Sequence, residues 1–264
     1  QDPLTVKVLQ KMAESDELPI RIYGMLGSSY PKLLKRFIKD GFYRSGFYTI
    51  RSAKAFIDGA LGSRGAALLE PYSDDKNNCG LILISSEEFK DLAYRCRDAG
   101  FQLCTHAIGD RGNRMVLDVY SETVKDMKNH RWRIEHAQMV CDDDIPRFAE
   151  IGIIPSMQPS HCTSDMLWLH DRIGNHRLSL VSRWKTFIDL GLKSEGAIPI
   201  EEFKLTKEID KIKIGSKVEV LLEKIENKSG DVVVSREKAR KAHSWKKMEK
   251  AFENKEKVKG VIIS

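Results

Sequence analysis

Two stretches decide the fold: Phe101-Gln102-Leu103-Cys104-Thr105-His106, followed by Ala107-Ile108-Gly109-Asp110, and Arg131-Trp132-Arg133-Ile134-Glu135-His136. Each is a short run with apolar residues that ends in a histidine and leads into sequence of helical character. The same alternation extends outward from them. Pro19 to Leu26 reads as a strand, Phe47 to Asp58 contains a second closed by Gly59, and Gly152 to Met157 is a short one. Leu4, Val8 and Met12 carry helical spacing through Leu4–Glu14. Ser85-Ser86-Glu87-Glu88 opens a helix with a capping signal that runs to Ala99-Gly100. Asp110 to Lys128 reads as the next helix, Asp142-Asp143-Asp144 places acidic charge at the start of another, and Leu178 to Leu190 reads as a last one ending at Gly191.

About five strands, each followed by a helix, predict an α/β fold with parallel strands joined by right-handed crossovers. A doubly wound sheet and a (β/α)-barrel both satisfy that pattern. No GxGxxG loop follows any strand: Gly24-Met25-Leu26-Gly27 and Gly109-Asp110-Arg111-Gly112 both lack the spacing. His106 and His136 instead close successive strands and Lys54 lies late in an earlier one, which is where barrel enzymes carry their chemistry. A partial (β/α)8 barrel of about five units is the expectation.

The chain has 264 residues, 41% hydrophobic and 31% charged, which excludes wholesale disorder, and no apolar run approaches a membrane span. Its five cysteines form no CxxC pair. The opening Gln1-Asp2-Pro3 has neither a Met nor a charged-then-apolar leader, so the beginning reads as missing or internal, and the odd, scattered cysteines read as a reducing, cytoplasmic setting. The net charge of +6 is modest, but its distribution changes near Lys193. Charged residues are 30 of the 71 from Ser194 onward and 52 of the first 193, and all five cysteines lie in front. Two segments, 1–193 and 194–264, are the expected domains.

Imidazole nitrogen suits zinc and similar divalent ions, and two histidines ending successive strands are harder to explain by packing than one. Asp110 either orients the imidazole of His106 or caps the helix that begins there, and the cap is preferred. Strict alternation turns Glu135 away from His136, toward the helix layer. Cys104 shares a strand face with His106, where buried packing is favoured over ligation. Lys54 lies in an otherwise apolar strand, costly to bury unless paired or modified, or else on a solvated edge. His161, His170 and His176 belong to a loop rich in Ser, Asp and Met, lining a substrate mouth or simply solvated.

The segment Lys54 to Leu68 (KAFIDGALGSRGAAL), His106 to Gly112 (HAIGDRG) and Arg133 to Gln138 (RIEHAQ) resembles the family-3 amidohydrolases of the metal-dependent hydrolase superfamily, over about residues 1 to 193. That resemblance implies a (β/α)8 barrel with a metal centre, probing amide-type small molecules and hydrolysing amide or other C–N bonds with one or two zinc ions. It implies Lys54 as a metal-bridging lysine, His106 and His136 as metal-binding histidines, and Asp58, Arg64 and Asp110 as residues behind the ligands or beside the substrate. Two parts of the family pattern are missing: no His-x-His occurs, and no strand-eight Asp follows because the sequence changes identity after Gly191-Leu192-Lys193. An incomplete, inactive centre and self-association through open barrel edges are therefore expected.

Behind the divide, Lys217 to Ile225 and Asp231 to Ser235 read as strands and Arg236 to Asn254 as a basic helix. Gly191 to Gly196 (GLKSEG), Gly230 to Arg240 (GDVVVSREKAR) and Lys257 to Ile262 (KVKGVI) resemble the repeats of the small-subunit ribosomal protein S-one family. The resemblance implies a partial OB-type β-barrel, an inter-repeat helix and contact with the ribosome or RNA. Gly191-Leu192-Lys193 fits both families, as the seam of a chimera of two fragments would. No catalytic or RNA-binding side chain is singled out by the sequence.

Overall fold

Parallel strands β1 (Ile22–Gly27), β3 (Tyr48–Phe56), β4 (Gln102–Ala107), β5 (Arg133–His136) and β6 (Ile154–Ser156) lie side by side in that order. A short antiparallel strand, β2 (Tyr43–Ser45), pairs with β3 off this path. The computed structural model describes residues 1–190, 196–197, 203, 218–224 and 232–257. Contacts divide the chain into two units, residues 1–192 and 193–264.

Helices cover one face of the parallel sheet. Asp2 caps α1 (Pro3–Glu14) by accepting from the Leu4 and Thr5 amides, with Pro3 in the first turn where its missing N–H costs nothing. A capping box between Ser85 and Glu88 starts α3 (Ser86–Asp98), as the sequence signals. α4 (Asp110–Thr123) stops five residues short of the expected Lys128. An additional helix, α2 (Pro31–Asp40), buries Leu33, Leu34 and Phe37 and ends at Gly41 with φ 89°. α5 (Ile145–Ile151) follows a 3-10 turn formed by the three aspartates Asp142–Asp144. The expected helix Leu178–Leu190 is instead a 3-10 segment, Asn175–Leu180, and a short helix α8 (Trp184–Asp189). Val181 between them is extended and bridges to Met139, and Ser182 has φ 55°, so a continuous helix is interrupted. Two short helices, α6 (Pro159–Asp165) and α7 (Leu169–Ile173), occupy the loop after β6.

The core between sheet and helices holds Phe89, Leu117, Tyr120, Trp132 and Ile134, all without exposure. Tyr120 and Trp132 meet edge to face at 5.0 Å, an arrangement worth about 0.5–1.5 kcal/mol beyond area burial. The Tyr120 hydroxyl bonds Thr105 Oγ1 at 2.6 Å and fixes α4 to β4.

One irregularity governs what faces the other side. Gly24 pairs with Ile50 and Met25 with Ser52, leaving Arg51 as an extra residue in β3. Such a bulge reverses the alternation. Tyr48 and Ile50 point into the core before it, Ala53, Ala55 and Ile57 after it. Ser52, Lys54 and Phe56 are thereby presented on the face without helices. β3 is an interior strand, so Lys54 does not sit on a solvated edge.

In the second unit β7 (Gly196–Ala197) pairs parallel with β9 (Val232–Ser235), and β8 (Leu221–Lys224) pairs antiparallel with β9. Helix α9 (Arg236–Glu253) continues directly from β9. Trp245, Met248 and Phe252 are exposed along it. The seam Gly191-Leu192-Lys193, the strand ends Lys217, Ile225 and Asp231, and residues 258–262 lie outside the described residues.

Candidate metal centre

His106 and His136 come together at the C-terminal ends of β4 and β5. Their rings stand edge to face with centroids 4.7 Å apart. Alternation alone would put His136 on the helix side, since it pairs with Ala107 rather than with His106. Its backbone takes φ 78°, and Ala137 follows with φ 42°, so the strand breaks its pleat and the imidazole turns to the open face. Gln158 holds it there. The Gln158 amide nitrogen donates to the Ser156 carbonyl at 3.0 Å, which leaves Gln158 Oε1 as the acceptor for His136 Nδ1–H at 2.5 Å. Nε2 of His136 is then the nitrogen with a free lone pair. Burial, with the adjacent His106 ring second, pushes His136 down to about 4. His161 stacks on it at 5.3 Å, face to face.

On the same face, Lys54 Nζ lies 5.0 Å from the centre of the Phe56 ring, and Phe56 in turn packs 5.5 Å from His106. Burial lowers the Lys54 ammonium, and the Glu135 carboxylate acts against that shift. Glu135 therefore faces the open side beside Lys54, Cys104 and Arg133, and does not turn toward the helix layer. Alternation does hold for Glu135; it is His136 that departs from it. Arg133 Nε pairs with Glu135 at 2.5 Å. Cys104 is buried, and that burial pushes its thiol up to about 11, so it behaves as packing.

Asp58, at the end of β3, lies with Oδ1 3.3 Å from His106 Nε2, and the Gly59 carbonyl lies 3.4 Å from the same nitrogen. Arg64 is elsewhere: it pairs with Asp74 at 3.0 Å, near the surface. Asp110 is not the helix cap, since Gly109 occupies that position. Its Oδ1 accepts from the Leu69 and Arg111 amides and its Oδ2 from Cys141 Sγ, which fastens the loop before α3 to the start of α4. His170 and His176 are exposed beside Asp171 and Glu70. Arg133, Glu135 and Gln158 are the members that spacing did not reveal.

Two imidazoles suit a divalent ion, and His136 is neutral over the ordinary pH range. Zinc sites nevertheless take three or four protein ligands. Among the described residues no three His, Cys, Asp or Glu side chains are placed to hold a metal ion together. The two imidazoles alone therefore do not complete such a site among the described residues.

Residues 2–196 match the model described as the amidohydrolase family, and residues 179–237 match that of the S1 RNA binding domain, the two overlapping over 179–196. The chain is 34% identical over 152 residues, 57% of its length, to the protein LONG AFTER FAR-RED 3 of Arabidopsis thaliana, of which this covers 26%. It is 53% identical over 77 residues, 29% of its length, to the small ribosomal subunit protein bS1 of Rhodopseudomonas palustris, covering 14% of that protein. Among solved structures, an uncharacterized metal-dependent hydrolase from Pyrococcus furiosus superposes with a TM-score of 0.64 at 30% identity. That superposition covers 70% of this chain and 38% of the other. The chain thus joins sequence of two kinds and spans about a quarter of its plant relative.

Proposed function

Through residues 2–196 the chain belongs to the amidohydrolase family, and we propose that it keeps the two-histidine part of a hydrolytic metal centre without the means to turn over a substrate alone. The observation that carries this reading is the 4.7 Å approach of the His106 and His136 rings. The chemistry such an ion supplies when bound is polarisation of a scissile carbonyl and activation of water. What this chain's own residues do is narrower. His136 offers Nε2, Gln158 and His161 hold its ring, and Lys54 puts an ammonium on the same face. The substrate class of the reading is an amide or other C–N bond, and the ion is zinc.

Equilibrium dialysis of the full chain against zinc tests this, with His106→Ala and His136→Ala as variants. Loose binding of one ion, weakened by about tenfold or more in either variant, with no release of amine from simple amides, is the expected result. Equal binding by the variants would remove the site, and turnover of an amide by the zinc-loaded chain would overturn the inactivity.

The match to the S1 RNA binding domain favours a second activity in the other unit: association with single-stranded RNA. Its support is α9, a basic helix with Trp245 and Phe252 exposed for stacking. Binding to an unstructured RNA oligomer should fall steeply as salt rises. Affinity independent of salt, or unchanged in Trp245→Ala, would count against it.

A further inference from the structure

The forty residues from Leu18 to Ile57 hold eight Lys and Arg and a single acid, Asp40. Their net charge is +7 against +6 for the whole chain, so the rest of the sequence is slightly acidic. Half of these cations lie on one helix. α2 buries Leu33, Leu34 and Phe37, and its turn brings Lys32, Lys35, Arg36 and Lys39 together on the opposite, exposed side. Among the described residues none of these four pairs with a carboxylate. Elsewhere in the same unit acids are shared between arginines, Asp144 by Arg114 and Arg147 and Asp74 by Arg64 and Arg172. Like charges at i,i+3 and i,i+4 spacing destabilise a helix, so the stripe costs the fold something that an external polyanion removes.

Lys39 ends the stripe three residues before Phe42, where the chain turns into β2. Phe42 is 48% exposed, and the Arg51 guanidinium lies 4.5 Å from its ring centre, steadied by donation to the Gly100 carbonyl at 3.5 Å. Arg44 pairs with Thr49 in the same hairpin and shares the Phe42 side of β2. Tyr43, between them, turns the other way and donates to Glu14 Oε1 at 3.1 Å. A second stack forms where β1 and β3 begin: Phe47 is 43% exposed, with the Arg21 guanidinium 4.9 Å from its ring centre. Both stacks stand at the N-terminal ends of the strands, away from the histidines. Aromatic rings and guanidinium planes are the surfaces on which unpaired bases stack.

We propose that α2 and the two arginine–phenylalanine stacks form a binding surface for single-stranded RNA in the first unit. The cations of α2 take phosphates and the stacks take bases. This goes beyond the RNA association assigned above to the other unit. The choice of RNA among polyanions rests on that reading, whereas the charge and the stacks do not. An anionic membrane fits less well. Helices that lie on lipid insert an apolar face, and the apolar face of α2 is spent in the core.

The test is fluorescence anisotropy of a labelled, unstructured uridine oligomer with the full chain, run with and without Trp245→Ala, which removes a stacking side chain of the other unit. Lys32, Lys35, Arg36 and Lys39 are changed together to Gln, which suits exposed helical positions. Affinity should fall about tenfold or more in both backgrounds. The dependence of log affinity on log salt should flatten by about 3, at about 0.7 for each phosphate released. Phe47→Leu keeps apolar bulk but loses the ring, and should cost about tenfold for single strands. Ultraviolet cross-linking of the unmodified chain should mark Phe42 or Phe47, which covers a variant that fails to fold.

Affinity within twofold in a folded quadruple variant would overturn the proposal, as would cross-links confined to Trp245 and Phe252, an outcome that leaves the other unit's reading intact. Loss in the quadruple variant with no effect of Trp245→Ala supports this surface and counts against that reading. Equal affinity for a duplex of the same length would remove base stacking. Co-sedimentation with phosphatidylglycerol vesicles that the quadruple variant abolishes, without RNA cross-links, would give the surface to a membrane instead.

Discussion

Gly112 passes so close to Asp58 that a Cβ on it would lie 2.7 Å from Oδ2 and 3.0 Å from Cγ. The carboxylate is held by three backbone amides and has nowhere to go. Two effects then compete in Gly112→Ala. Helix propensity favours alanine by about 1 kcal/mol, and overpacking costs about 1–3 kcal/mol. The clash is with a fixed group rather than a flexible tip, so we expect net destabilisation of about 1–2 kcal/mol in urea unfolding. A stabilised variant would show that Asp58 is looser than its bonds require.

Stability should depend on pH through His136. Its folded value is about 4, against about 6.5 for an ordinary histidine, so between these the unfolded chain binds the proton more readily. The contribution is complete above about pH 6.5, declines as pH falls toward 4, and does not grow further below that. Allowing for solvent screening of a half-buried ring, about 1–2 kcal/mol is expected. Urea titrations at about pH 7.5 and 4.5 should show this loss in the unmodified chain and a smaller one in His136→Gln. An identical loss in both would place the titrating group elsewhere.

Tyr120→Phe removes the hydroxyl that Thr105 Oγ1 meets at 2.6 Å inside the core. Thr105 is fully buried, and its oxygen would lose that partner. A cost of about 1–2 kcal/mol follows from an unmade buried bond. Tyr120→Phe in a Thr105→Val background should cost less, and additive effects in that double-mutant cycle would deny the coupling.

Deleting Arg51 should be far worse than replacing it. Without the extra residue, alternation runs unbroken, and either Tyr48 and Ile50 or Ala53, Ala55 and Ile57 must leave the core. Arg51→Ala keeps the count and loses an exposed side chain that stacks over Phe42 and donates to the Gly100 carbonyl at 3.5 Å. The deletion should give insoluble or unfolded chain by circular dichroism, and Arg51→Ala a cooperative fold. A soluble deletion variant would mean that the bulge can move along β3.

The sequence makes the parallel frame legible because strand, turn and helix each leave local marks: the capping box at Ser85 and Glu88, the glycines after Ala99 and Ile151, the histidines at two strand ends. α2 escaped because Pro31 to Asp40 lies between two strand-like runs without a polar capping residue; Tyr30 precedes it with no side-chain cap. The bulge at Arg51 has no glycine to announce it. Glu135 falls on the open face and not toward the helices, where unbroken alternation from His136 would place it, because the pleat ends at His136, and nothing in a His-Ala pair signals a left-handed turn. Gln158 belongs to a loop, where spacing carries no information about contact. Residues 191–195 and 258–264 fall outside what the structure describes, so the expectations placed on them have no structural counterpart.

The successive positive φ values at His136 and Ala137 carry a lasting cost, about 1–3 kcal/mol for each residue held there. A screen that rewards heat tolerance alone would favour replacements that let β5 run straight, glycine at 137 being the exception that relieves the torsion without moving the ring. Most thermally hardened descendants of this chain would then carry the histidine on the wrong side, and Ala137 is the position at which to look for that trade.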